Sequence, residues 1–179
     1  MGAARDWTRS QHERCPDCGT DASNFADREL GAQVLREVAE WGRLLASADP
    51  AAVRRRPAAE VWSPLEYACH VRDLLPVMAG RVELMRTEDS PDLGWWDHEA
   101  EVVASCYNEQ VPVLVVEQMT TNARGFSLTL DRVVGDEWER RAERRPGEVF
   151  TIRGTARFVL HEVIHHRDDA SRALKGIAP

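Results

Sequence analysis

The sequence predicts an all-α protein: a four-helix bundle preceded by an irregular N-terminal segment. Three observations predict it. Apolar residues recur at spacings of three and four over four long stretches, the period of a helix buried along one face. One stretch opens on a complete capping box, Ser63-Pro64-Leu65-Glu66. Outside the stretches only Val149, Phe150 and Ile152 suggest extended chain, and no internal repeat or low-complexity tract interrupts the pattern.

Residues 1–27 form an irregular segment holding a Cys15-Pro-Asp-Cys18-Gly knuckle, and residues 28–179 form the helical domain. The first helix is expected from about Arg28 to Ser47, with Leu30, Val34, Leu35, Val38, Trp41, Leu44 and Leu45 on its apolar face. Asp49-Pro50 ends it. The second starts at the capping box and runs to about Arg86, with Pro76 as a kink because proline removes an intrahelical bond. A loop through Trp95-Trp96-Asp97 leads to a short helix near Glu99–Tyr107. A long helix from about Pro112 to Val134 follows, with Leu114, Val115, Met119, Phe126, Leu130 and Val133 as core candidates. Pro146-Gly147 breaks the next polar stretch, and the last helix spans about Gly154 to Leu174.

A chain of 179 residues fits one domain with a real core. Its net charge of −7 argues against nucleic acid and anionic membrane as partners. The arginines at 54–56 and at 140, 141, 144 and 145 read as solvated faces. No apolar run approaches the roughly 18 residues that span a bilayer, and the polar start lacks the apolar core of a secretory signal. A cytoplasmic location is therefore expected. Four cysteines are too few and too irregularly spaced for a disulfide framework. Cys69 and Cys106 read as core positions. Cys15 and Cys18 look like half of a zinc ribbon whose other half is missing. Even with His12 the set is one ligand short, so a turn or redox pair is preferred over a second structural metal.

Chemistry concentrates in the histidines. His161 and His165 are four residues apart, so on a helix both imidazoles can reach one ion. A third ligand must come from elsewhere, and His70, on the capped helix beside Tyr67 and Leu74, is the candidate. The alternative for each is an ordinary core or surface histidine. His166 should point about 100° away from His165, and His12 and His98 fall in loops.

These residues carry a resemblance. Trp62-Ser63-Pro64-Leu65-Glu66-Tyr67-Ala68-Cys69-His70 and the closing His161-Glu-Val-Ile-His165 helix resemble two motifs of the DinB-like superfamily of helical-bundle metalloproteins. The likeness is to its actinobacterial members related to mycothiol-dependent enzymes, and Trp96-Asp97 sits where related chains carry a similar loop. The resemblance implies a divalent ion, zinc or else nickel, on His70, His161 and His165. It implies an enzyme that transfers a low-molecular-weight thiol such as mycothiol to a small electrophile. A metal-dependent hydrolase, or a non-catalytic metal-binding bundle in stress response or regulation, is the alternative. Glu66, Asp97 and Asp168 are the candidates for catalytic support, with Asp73 and Tyr107 behind them. The family pattern is compatible with a homodimer.

Overall fold

The computed structural model describes residues 7–177. Five α-helices carry the fold: α1 (Asp27–Ser47), α2 (Pro64–Thr87), α3 (His98–Ala104), α4 (Pro112–Leu130) and α5 (Ile152–Leu174). A two-stranded antiparallel hairpin, β1 (Arg141–Glu143) and β2 (Val149–Thr151), precedes α5. No helix among the described residues is long and apolar enough to cross a membrane.

The four long helices form the bundle. α1 and α2 each pack against both α4 and α5, while α1 and α2 barely touch. The order around the bundle is therefore α1, α4, α2, α5, with consecutive helices α1 and α2 on a diagonal. Leu30, Val34, Val38 and Trp41 of α1, Leu65, Val71, Leu75 and Val82 of α2, and Val159, Leu160 and Val163 of α5 are all buried. Gly31 lets α1 and α4 approach closely: a Cβ there would stand 2.6 Å from Ser127 Oγ and 3.2 Å from Ser127 Cα.

Local chemistry sets the helix ends. The Glu66 N–H donates to Ser63 Oγ (3.2 Å) and the Ser63 N–H donates to Glu66 Oε2 (2.7 Å), so the capping box is formed. α2 continues through Pro76. α4 ends at Leu130, four residues earlier than the periodicity suggested. Leu114, expected in the core, is exposed: the adjacent Val115 takes the inward position in the first turn of α4, and Leu114 lies about 100° round the helix from it. Cys69 is buried as expected, and burial pushes its thiol up to about 12. Cys106 is exposed instead, in a left-handed turn with φ +45° between α3 and the 3-10 turn Tyr107–Glu109. Strand β1 falls in a segment that read as merely polar. Its one buried residue, Ala142, pairs with Phe150, too little alternation to announce a strand.

Residues 7–25 lie along α5. Gln11 is almost fully buried and its Nε2 donates to Val149 O at 3.4 Å. Gly154 makes room for it: a Cβ at that position would collide with the Gln11 side-chain amide.

Glu66 permits a pH test. Burial would raise its carboxyl pKa, but hydrogen bonds from Arg56 (2.8 and 2.5 Å) and the Ser63 N–H outweigh that and hold it below the usual range. A depressed folded pKa means the stabilisation is present above the unfolded value of roughly 4.3 and lost as pH falls through the folded value. Glu66→Gln is therefore expected to destabilise the protein near pH 7, with a smaller difference from wild type near pH 3 than near pH 7. Urea midpoints at the two pH values check this; an equal loss at both would exclude the charge as the cause.

Candidate metal centre and pocket

The closing helix carries two interleaved pairs at a spacing of four: His161 with His165, and Glu162 with His166. One residue of offset turns about 100° around a helix, so the pairs face different neighbours. Glu162 and His166 turn toward α2, where His70 meets them, and the ligand atoms of all three lie within 4.8 Å of one another. Glu162 Oε2 stands 3.9 Å from His70 Nε2 and 3.4 Å from His166 Nε2. His161 and His165 turn toward the N-terminal knuckle, and their ligand atoms lie within 4.8 Å of those of Cys15 and Cys18. The structure thus divides the expected set, with His70 in one cluster and His161 and His165 in the other.

The first cluster borders a pocket of about 540 Å³. Trp62, Tyr67 and Trp96 form its aromatic wall, and His98, at the start of α3, faces into it. Trp96 stacks on the His70 ring at 5.5 Å between centroids, and Tyr67 stacks on His166 at 5.3 Å. Arg81 lines the pocket too, donating to Leu93 O (3.2 Å) and Gly94 O (2.7 Å). It has no carboxylate ion pair among the described residues, and burial lowers its pKa to about 10.

Charge in the cluster follows from burial and from its neighbours. Burial lowers His70 to about 4, against the pull of Glu162, so its ring is neutral near pH 7. Its Nδ1 is buried without a hydrogen-bond partner. Burial would raise Glu162, but His161, His166 and His70 outweigh it and hold the group ionised. Burial would lower His166, yet Asp169 and Glu162 raise it to about 9. A neutral imidazole whose Nε2 faces Glu162, a carboxylate and a second imidazole are a donor set that fits a divalent cation. A cation would displace the His166 proton.

Two carboxylates sit between the clusters. Glu162 Oε1 accepts from His161 Nδ1 (3.2 Å), while its Oε2 faces His70 and His166. Asp169 Oδ2 lies 3.1 Å from His166 Nδ1 and 3.4 Å from His165 Nε2. In the second cluster Cys15 Sγ is 3.7 Å from His165 Nδ1. Burial would raise the Cys18 thiol, but hydrogen bonds with His161, His165 and Thr20 bring it down to about 5.

The remaining candidates have other partners. Glu66 is engaged in the capping box and with Arg56, outside the pocket. Asp97 is exposed and caps α3, accepting from the Ala100 N–H at 3.0 Å. Asp168 pairs with Arg172 (2.7 Å) and lines a separate groove. Asp73 accepts from Arg72 and from the Tyr107 hydroxyl (2.6 Å). Sequence reasoning passed over Glu162 and His166, although Glu-x-x-x-His at the neighbouring register was a visible signal. His-x-x-x-His masked it.

Comparison with known proteins agrees with the fold. The structure is similar to that of YfiT from Bacillus subtilis, described as a probable metal-dependent hydrolase with an unusual four-helix bundle topology. The TM-score is 0.72 at 14% identity, covering 82% of this chain and 86% of that one. It is also similar to the mycothiol-dependent maleylpyruvate isomerase, with a TM-score of 0.65 at 15% identity, covering 83% of this chain and 62% of the isomerase. A second structure of that isomerase gives 0.66 at 13%. No curated protein matches in sequence. The DinB superfamily model matches residues 33–170, which take in all of α2 and α4 and most of α1 and α5, and the chain belongs to that superfamily.

Proposed function

We propose that this protein is a divalent-metal-dependent enzyme that transfers a low-molecular-weight thiol, such as mycothiol, to a small electrophile. His70, Glu162 and His166 are the residues that hold the metal. The observation that carries this reading is the convergence of these three donors on the wall of a pocket sized for a small molecule. Three protein ligands leave coordination open, the pattern of a catalytic rather than a structural site.

Zinc or nickel, when bound, lowers the pKa of a thiol or water and so supplies a nucleophile near neutral pH. The chain's own residues do the rest. Asp169 takes the Nδ1–H of His166 and aims Nε2 at the cluster. Trp62, Tyr67 and Trp96 line the pocket with apolar surface, strengthening every electrostatic contact inside. Arg81, buried and held by the Leu93 and Gly94 carbonyls and the Met78 sulfur, places a positive charge that suits an anionic electrophile.

A hydrolase is the second reading, favoured by the similarity to YfiT, which covers more of that chain than of the isomerase. The test is a panel of bacterial thiols against small electrophiles, run beside ester and amide hydrolysis, on metal-loaded wild type and on His70→Ala and His166→Ala. Thiol consumption that falls at least 100-fold in both variants is the expected result. Metal-dependent hydrolysis without thiol consumption would move the assignment to the second reading.

A further inference from the structure

We propose that Cys15, Cys18, His161 and His165 form a second, closed metal site that takes zinc and pins the N-terminal segment to α5.

The donors are two sulfurs and two imidazoles, a set that structural zinc favours. The sulfurs come from a Cys-x-x-Cys turn and the imidazoles from one helix at a spacing of four. Their ligand atoms lie within 4.8 Å of one another although nearly 150 residues separate the pairs in sequence. Both cysteines are free of disulfide.

The turn is built to present sulfur. The Gly19 N–H donates to Cys15 O (3.0 Å) and the Cys15 N–H to Thr20 O (2.8 Å). Gly19 takes φ +72°, a left-handed conformation that suits glycine. On the helix side both rings have an orienting carboxylate: Glu162 Oε1 on His161 Nδ1, and Asp169 Oδ2 on His165 Nε2. Such contacts are those that orient metal-binding imidazoles.

Burial separates this site from the reaction pocket. Cys15, His161 and His165 are buried, and of the four residues only His165 touches the pocket wall. Four protein ligands close the coordination sphere, so the role is structural. That role has a purpose here. Residues 8–25 contribute few buried apolar side chains, chiefly Cys15 and Ala22. A segment with so little core gains order from a metal staple.

The experiment uses the full chain with His70→Ala and His166→Ala, which remove the pocket ligands and leave the second site intact. Elemental mass spectrometry should find about one zinc per chain. X-ray absorption should show sulfur at ~2.3 Å beside nitrogen at ~2.0–2.1 Å. Adding Cys15→Ser and Cys18→Ser should remove that zinc. In wild type loaded with cobalt, a sulfur-to-metal charge-transfer band should appear and survive the pocket substitutions. Zinc bound by nitrogen and oxygen alone, zinc content indifferent to the cysteine changes, or a Cys15–Cys18 disulfide in metal-replete reducing buffer would each overturn the proposal. The absorption measurement needs no cysteine variant, so a folding failure of those variants leaves the decision intact. Failure of the pocket assignment would show separately, as a wild type that loses no metal on His70→Ala.

Discussion

Trp41→Ala is expected to destabilise the protein by about 3–5 kcal/mol. Trp41 sits on α1 with no solvent exposure and is the largest fully buried side chain among the described residues. Its removal leaves a cavity where α1 meets α5. It also removes the indole hydrogen bond from Nε1 to Val163 O at 2.9 Å. Neighbouring helices relax only partly into such a space, so lost transfer energy and cavity formation add. Domains hold a net stability of only about 5–15 kcal/mol, which makes this a large share. In a chain of this size the loss corresponds to a melting temperature lower by roughly 6–20 °C. Trp41→Phe keeps most of the ring and drops the hydrogen bond, and should cost about 1–2 kcal/mol. Denaturant midpoints with an unchanged slope measure both. A loss below about 1 kcal/mol for Trp41→Ala would show that α1 is not seated as described.

The second large effect belongs to Glu162→Gln. This carboxylate is shared by His70 and His166 on one side and His161 on the other. The amide keeps the shape and removes the charge. Changing an outer-shell partner lowers metal affinity by roughly 10–100-fold. At the pocket, where we place Glu162 as a ligand, the loss should exceed about 100-fold. At the Cys15–Cys18–His161–His165 site it orients a ligand from behind, and the loss should stay within roughly 10–100-fold. Competition against a chromophoric chelator reads both, with His70→Ala used to isolate the second site. Equal affinity of Glu162→Gln and wild type for the pocket metal would remove Glu162 from the ligand set.

Most of the architecture was legible in the chain. Helix periods announce themselves locally, because a helix returns every 3.6 residues to the same buried face. The ends of α1 and α2 fell within a residue of expectation for the same reason: Asp49-Pro50 and the Ser63 capping box act within one turn. Exposure of Leu114 and Cys106 was less legible, since burial depends on what a neighbouring helix covers, not on the residue's own period. Strand β1 was hidden because a three-residue strand with one buried side chain carries almost no alternation.

The sequence by itself determined that the last helix holds two imidazoles four residues apart on one face and that α2 begins at Ser63 with His70 two turns in. Only the tertiary structure decided which imidazoles serve which cluster. His161-Glu162-x-x-His165-His166 contains two registers, and both are self-consistent on an isolated helix. Their assignment depends on how far α5 is rotated about its axis, and that rotation is set by long-range packing. Val159 and Val163 are buried in the bundle, Val163 O receives the Trp41 N–H, and Gln11 sits over Gly154. With that rotation, Glu162 and His166 face His70, and His161 and His165 face two cysteines whose missing partners no reading of the N-terminal segment alone could supply.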